Sequence, residues 1–387
     1  MITRREFAAR LAQAGAAAMF ASSGLLTACG GLGSGTSSNS NSNSGPDSSS
    51  GQTTLQAAAK SRNLLYGAAV RSDELQNDKA FADAFTAQCA MLVPEVELQW
   101  NILETSPGVL NFAGADFLSS FAQQHGMQFR GHSLVPAGEF PKWIKQLTDR
   151  NQVIDQITTH VTTVVQHYAG HVVSWDVVNE AVNPSDGLAN GLRNSFWMQV
   201  VGEEYIDVAF KAAAAADPAA LLVYNDFGLE YDTPDSDQRR ADVLALLQRL
   251  LQRGVPVHGL GFQAHLYGDA NSINPSKLTD YVNQVSQLGL KIFITEMDVN
   301  DQALAGDLTI RDTQVADMYT LFLNAVLQNT ALTEVTTWGL SDRYTWMVQH
   351  APRADGLPPR PLPLDSDLKP KLAFDAIVNA FKAAPSR

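Results

Sequence analysis

The chain has 387 residues, 45% of them hydrophobic and 17% charged, a balance that suits one large soluble domain and excludes a disordered or fibrous protein. Its 40 acidic side chains against 27 basic ones give a formal charge of -13, which argues against nucleic acid as a partner and suits a neutral polymer or a small sugar. The two cysteines, Cys29 and Cys89, leave no disulfide within the folded region and cannot form a metal site.

Thr3-Arg4-Arg5-Glu6-Phe7 leads into an Ala-rich apolar run and then into Leu26-Thr27-Ala28-Cys29-Gly30, the order of an export signal. The paired arginines resemble a twin-arginine signal. Leu-Thr-Ala-Cys resembles a bacterial lipobox, in which Cys29 is acylated and becomes the mature N-terminus. A short uncleaved membrane anchor is the alternative, but Arg10, Gln13 and serines interrupt the run. The expectation is a signal over residues 1–28, lipidation at Cys29, and an exported envelope lipoprotein, periplasmic or at the cell surface, that touches a membrane only through its lipid. Residues 29–55 are dominated by Gly, Ser, Asn and Thr and read as a flexible tether. Losing residues 1–28 removes Arg4, Arg5, Arg10 and Glu6, so the formal charge of the remainder is -15.

Over residues 56–387 short apolar runs alternate with stretches of helical period, the signature of βα units around a parallel sheet. Strands are expected at 64–70, 90–96, 127–135, 172–179, 221–227, 260–265, 291–299 and 334–340. The clearest helices fall at 151–167, 196–216, 236–252, 277–288, 313–329 and 371–382. Eight such units predict a single (β/α)8 TIM barrel of α/β class. A doubly wound open sheet is the rival, but Tyr66-Gly67-Ala68-Ala69-Val70-Arg71 lacks the Gly-x-Gly-x-x-Gly spacing expected after its first strand. Polar residues gather where strands end: Glu95, His132, Asn179 with Glu180, Asn225 with Asp226, Gln263 with His265, Glu296 with Asp298, and Trp338. In a barrel those ends converge on one face, where barrel enzymes hold their active sites.

Val172 to Glu180 and Lys291 to Asp298 are apolar runs that each point a glutamate, Glu180 and Glu296, into the mouth. One carboxylic acid to protonate a leaving oxygen and one carboxylate to attack an anomeric carbon, or to activate water, are what glycosidic cleavage requires. A glutamate at a strand end is by itself more often a structural ion pair, because a fold does not define a function. The constellation shifts that balance: His265 can hydrogen-bond Glu296, and Asp298 can hold His265. This would keep Glu296 ionised while a less charged setting keeps Glu180 protonated.

Residues 62–385 resemble a family 10 glycoside hydrolase, the family of endo-β-1,4-xylanases. The resemblance is carried by Arg130-Gly131-His132-Ser133-Leu134-Val135, Trp175-Asp176-Val177-Val178-Asn179-Glu180, Tyr224-Asn225-Asp226, Gly259-Leu260-Gly261-Phe262-Gln263-Ala264-His265, Thr295-Glu296-Met297-Asp298 and Trp338-Gly339-Leu340-Ser341-Asp342-Arg343-Tyr344-Thr345-Trp346. It implies retaining double displacement of xylan or xylo-oligosaccharides, with Glu180 as acid/base and Glu296 as nucleophile, their carboxyl groups about 5 to 5.5 Å apart. It also implies that Asn179 bonds the sugar 2-hydroxyl, that Glu97, His132, Gln263 and His265 line the site, that Trp338 and Trp346 wall the reacting sugar, and that Asn225 and Asp298 support the carboxylates. No metal or organic cofactor is implied.

The chain departs from the family where glycone sugars would lie. The usual Asn-Glu-x-Lys-Trp is Val96-Glu97-Leu98-Gln99-Trp100, the usual Trp-His-x-Gln is Pro136-Ala137-Gly138-Glu139, and the tyrosine after Asn-Asp is Phe227. Each lost hydrogen bond should weaken sugar binding by about 0.5 to 1.5 kcal/mol, so several together predict poor use of linear xylan and a preference for decorated xylan or another sugar. Two other readings are an envelope glycan-binding protein with weak turnover, which two intact carboxylates disfavour, and a related barrel glycosidase acting on another β-glycan.

Overall fold

A computed structural model of the chain describes residues 53–268 and 273–387. The expected export signal, Cys29 and the stretch read as tether, as far as residue 52, fall outside them. Eight parallel strands form a closed ring: β1 (Leu65–Val70), β2 (Met91–Pro94), β3 (Gln128–Gly131), β4 (Val172–Asn179), β5 (Leu221–Asp226), β6 (Gly259–Phe262), β7 (Lys291–Asn300) and β8 (Leu332–Thr337). Each pairs with the next, and β8 closes onto β1 through Leu65↔Glu334 to Ala68↔Thr337. The architecture is the (β/α)8 barrel that the alternating pattern predicts.

Local chemistry fixes the outer helices. The side chains of Asp78, Asp149, Ser195, Thr233, Asn274 and Asp307 each accept a backbone N–H from the first turn they precede, while Pro234 and Pro275 occupy first positions that have no use for an N–H. The helix Arg150–His167 shows how such an element packs: Val153, Ile157, Val161, Val164 and Val165 recur at helical spacing and are all buried. Another helix, Leu55–Lys60, begins inside the stretch read as tether. Thr54 caps it and Leu55 is fully buried, so the packed region starts there. Cys89 lies in the core as a free thiol.

Three elements are broken or cut short relative to the sequence reading, each for a backbone reason. The helix expected at 196–216 is two, Phe196–Val200 and Glu204–Ala216, because Gly202 turns the chain with φ +80°. The third strand stops at Gly131, where a Cβ would stand 2.0 Å from the Trp175 ring, and the chain returns to β4 through the Leu134 N–H on Asp176 O at 2.9 Å and the pairing of Val135–Pro136. The sixth strand breaks at Gln263 and Ala264, the latter with φ +57°, and resumes as His265–Tyr267 against the outer end of β7. The last two breaks aim His132 and His265 into the barrel mouth.

Candidate active site

A buried polar column rises through the barrel beneath the mouth. Arg130, fully buried on β3, donates to Ser174 Oγ at 2.7 Å, pairs with Asp176, and lies 3.2 Å from Glu334 Oε1. Asp176 in turn holds His132, whose Nδ1 is 3.0 Å from Asp176 Oδ2 and 3.8 Å from Glu296 Oε1. Buried charges persist only when paired in this way. Glu334 shows the cost: burial pushes its carboxyl up to about 7, against the pull of Arg130.

Glu296 is gripped on both oxygens. Asn225 Nδ2 donates to Oε1 at 2.7 Å and His265 Nε2 stands 3.1 Å from Oε2. The His265 ring also bonds Asp298 through Nδ1 at 2.9 Å, and Asp298 accepts from Trp346 Nε1 at 2.7 Å. Both contacts expected of His265 are therefore made. Burial alone would raise the Glu296 carboxyl, but the His132 charge and the His265 hydrogen bond outweigh it and hold the group below its usual range. His265 is shifted the other way: burial pulls it down, while Asp298 and Glu296 hold it well above the ordinary imidazole value.

Glu180 faces this assembly from the end of β4, joined to it by amides. Gln263 Nε2 donates to Glu180 Oε1 at 3.0 Å and to Asn179 Oδ1 at 3.1 Å, and Asn225 Nδ2 bridges Asn179 Oδ1 to Glu296. The close approach depends on Gly261, since a Cβ there would lie 2.2 Å from Asn225 Oδ1. Glu180 adopts φ +63°, a left-handed conformation that costs a residue with a Cβ and concentrates at functional sites. Its backbone is held at both ends: its N–H donates to Asn225 O at 2.9 Å, and Arg193 Nε donates to its carbonyl at 2.7 Å.

The setting of Glu180 corrects one expectation. A less charged surrounding is not what the fold provides, because the Arg193 guanidinium lies 3.6 Å from Glu180 Oε2. Glu139 is a further charged neighbour: burial, then the charge of Glu180, push its carboxyl up to about 7. Nothing in local periodicity links Arg193 or Glu139 to Glu180, since both arrive on loops.

Of the other expected site residues, Trp338 stands edge-on to His132 at 5.1 Å and to His265 at 6.4 Å, and the Trp346 and His265 ring centres are 5.3 Å apart. Glu97 makes no hydrogen bond with this cluster among the described residues. Its carboxylate accepts the Ser72 N–H at 2.6 Å and the Val96 N–H at 3.4 Å and packs against Gly114, so it braces the loops after β1 and β2. Glu95 lies beside it in charge terms: burial raises its carboxyl to about 7, with Arg71 opposing and Glu97, Asp73 and Asp298 adding to the rise. Trp100 is also core, donating to Glu104 Oε2 at 2.8 Å and stacked on His160 at 3.8 Å. On the same side of the mouth, Gln99 Nε2 turns to the Glu95 carbonyl at 3.4 Å, and the Pro136 carbonyl accepts from Trp197 Nε1 at 2.8 Å.

The profile of Glycosyl hydrolase family 10 matches residues 54–380. Endo-1,4-beta-xylanase 3 of Hypocrea jecorina is 32% identical over 333 residues, 86% of each chain. The beta-1,4-xylanase of Dictyoglomus thermophilum is 34% identical over 295 residues, 74% of this chain and 80% of that one. Among solved structures, native xylanase 10B from Thermotoga maritima superposes with a TM-score of 0.77 at 30% identity, covering 85% of this chain and 98% of its own. Xylanase 10B from Thermotoga petrophila, in complex with xylobiose, gives 0.77 at 29% identity, covering 86% and 98%.

Proposed function

The chain belongs to glycosyl hydrolase family 10, and from that premise we propose that it is a retaining endo-β-1,4-xylanase in which Glu296 is the nucleophile and Glu180 the acid/base. The observation that carries this reading is the unequal treatment of two carboxylates on one floor. Glu296 is held below its usual range by two imidazoles and an amide, as a nucleophile must be. Glu180 is only partly buried, its Oε1 accepting from Gln263 and its Oε2 lying 3.6 Å from the Arg193 guanidinium.

In the first step the Glu180 O–H gives its proton to the glycosidic oxygen as the C1–O bond breaks, and a Glu296 oxygen bonds to C1, forming a glycosyl ester. In the second, Glu180, now a carboxylate, takes a proton from water as the water oxygen attacks C1 and Glu296 departs; two inversions give net retention. His265 shares its two ring hydrogens between Glu296 and Asp298, so the positive charge that steadies Glu296 as it leaves is fixed in place. Asn179 commits its carbonyl oxygen to Gln263 and Asn225, which turns its N–H2 toward Glu180 and the sugar hydroxyl expected there.

The same reading includes a glycone side that favours decorated over linear xylan. Val96 has no side-chain donor, Gln99 faces a backbone carbonyl, and Pro136 replaces an indole, so a substituted sugar meets fewer obstacles and a bare one fewer partners. Export as a Cys29-anchored envelope lipoprotein is part of the proposal on the strength of Arg4-Arg5 and Leu26-Thr27-Ala28-Cys29.

The test is proton NMR of xylohexaose digestion, with Glu296→Ala as comparator. The reading expects the β-anomer to form first, and a loss of rate on the order of 10^4-fold or more in the variant, with azide rescuing it as an α-linked glycosyl azide. First appearance of the α-anomer would refute retention. No new reducing ends from any xylan would refute the xylanase reading.

A further inference from the structure

Resting on the reading of the site as an endo-acting xylanase, we propose that Tyr267, backed by Tyr231, is the platform of a sugar-binding subsite on the leaving-group side of the cleft. Tyr267 is the only aromatic among the large hydrophobic side chains that stand exposed in the described residues, with 40% of its surface open. It lies two residues beyond His265 on the short strand His265–Tyr267. Successive side chains on a strand point to opposite faces, and the burial follows that rule: Leu266 is fully buried in the wall, while His265 and Tyr267 share the other face. Since His265 points at Glu296, Tyr267 is directed toward the same mouth, about 6.6 Å farther out along the strand.

The ring's position is rigid. The strand is registered on β7 through His265↔Asp298, Leu266↔Val299 and Tyr267↔Asn300, and Gly268 N–H donates to Asn300 O at 2.9 Å. Tyr231 supports it from the inner side, its ring centre 6.0 Å away at a 40° tilt and its hydroxyl donating to the His265 carbonyl at 3.2 Å. An exposed neutral ring held this way offers its face to the C–H face of a pyranose, a contact that needs no charge and tolerates any xylose unit.

The ring of strands fixes the side. The altered glycone positions, Val96 and Gln99, follow β2, and His265–Tyr267 extends β6; in a closed ring of eight, the second and sixth strands lie directly across from one another. A chain entering past Val96 and Gln99 and crossing Glu180 and Glu296 leaves over Tyr267. Holding sugars on both sides of the scissile bond is what internal cleavage requires.

The experiment compares Tyr267→Ala and Tyr267→Phe with the wild-type protein by the ratio of kcat/KM for xylohexaose to that for β-xylobiosyl fluoride, whose leaving group is a single atom. A second readout is the rate at which xylobiose, as acceptor, reactivates enzyme trapped with a 2-deoxy-2-fluoro-xylobioside. Tyr267→Ala should lower both the ratio and the acceptor rate about three- to tenfold, the factor expected of one aromatic contact, and Tyr267→Phe should restore both. An unchanged ratio and acceptor rate in Tyr267→Ala would overturn the subsite, as would equal losses on both substrates, which a structural role would give. A wild-type protein that turns over neither substrate would instead overturn the xylanase reading, and this inference with it.

Discussion

The floor of the barrel mouth and the wall over β2 and β3 are built on different principles. On the floor, from β4 to β7, every acidic or amide group answers to another: Glu296 to Asn225 and His265, His265 to Asp298, Asp298 to Trp346, Glu180 to Gln263 and Arg193. On the wall, Glu97 is spent on backbone amides, Gln99 on a backbone carbonyl, and Pro136 and Val96 offer a sugar no side-chain hydrogen bond. Chemistry needs atoms fixed to fractions of an ångström, and a cross-linked network supplies that. Recognition of distal sugars tolerates loss of individual bonds, which is why the proposed reading places this chain's altered specificity on the wall.

The comparison breaks first if the floor proves insensitive to its least expected member. Arg193 clamps the left-handed backbone of Glu180 and places a cation beside its carboxylate. With Glu180 as acid/base, Arg193→Met should reduce kcat/KM on xylohexaose about 10^2-fold, the loss typical of a misplaced proton donor. The loss in kcat/KM, which reports the first step alone, should be much smaller on a 2,4-dinitrophenyl xylobioside, whose leaving group departs without a proton. Equal losses on both substrates would show that Arg193 serves folding alone.

The wall is tested by restoring what it lacks. Val96→Asn with Gln99→Lys returns an amide and an ammonium to the β2 loop, and the pair should raise kcat/KM on linear xylohexaose about tenfold, since a hydrogen bond to a charged group contributes more than a neutral one. Decorated xylan should gain less or lose. An absence of any gain on the linear substrate would place the specificity elsewhere than the β2 loop.

The floor was more legible in the sequence than the wall. Val172–Asn179 reads off as a strand with its observed bounds because an unbroken apolar run terminates at a polar pair. Glu180, Glu296, His265 and Asp298 fall at strand ends, where the fold rule alone directs them to one face. Loop residues carry no such rule. Glu97 falls two positions after Glu95, the period of a strand, but β2 has already ended at Pro94, so alternation no longer tells that the Glu97 carboxylate turns to the Ser72 and Val96 N–H groups. Arg193 and Glu139 reach Glu180 through the tertiary course of two loops, a relation that no local pattern encodes. The apolar signal at 127–135 outruns the strand because Leu134 and Val135 prolong it across His132 and Ser133, where the backbone leaves the ladder. The helix Leu308–Val326 starts before residue 313, where the periodicity becomes readable, because Leu308 and Ile310 are exposed and obscure it.

The effect most remote from the reacting atoms concerns what the floor stands on. Glu334 is buried beside Arg130 at the base of the polar column, and burial raises its carboxyl to about 7 from an ordinary 4.5. The folded protein therefore retains a proton on Glu334 between those values, where the unfolded chain has released it. Its contribution to stability is fully present below the unfolded value and is lost as pH rises through the folded one. Glu334→Gln, neutral at every pH, removes that loss. The variant should melt near the wild-type temperature at pH 5 and above it at pH 8, by up to about 3 kcal/mol of stability or a few degrees in calorimetry. Parallel melting curves across that range would mean that Glu334 is ionised throughout, with Arg130 shared between two carboxylates rather than committed to Asp176. The column would then support His132 through a symmetric ion triad in place of the single pair that now aims it.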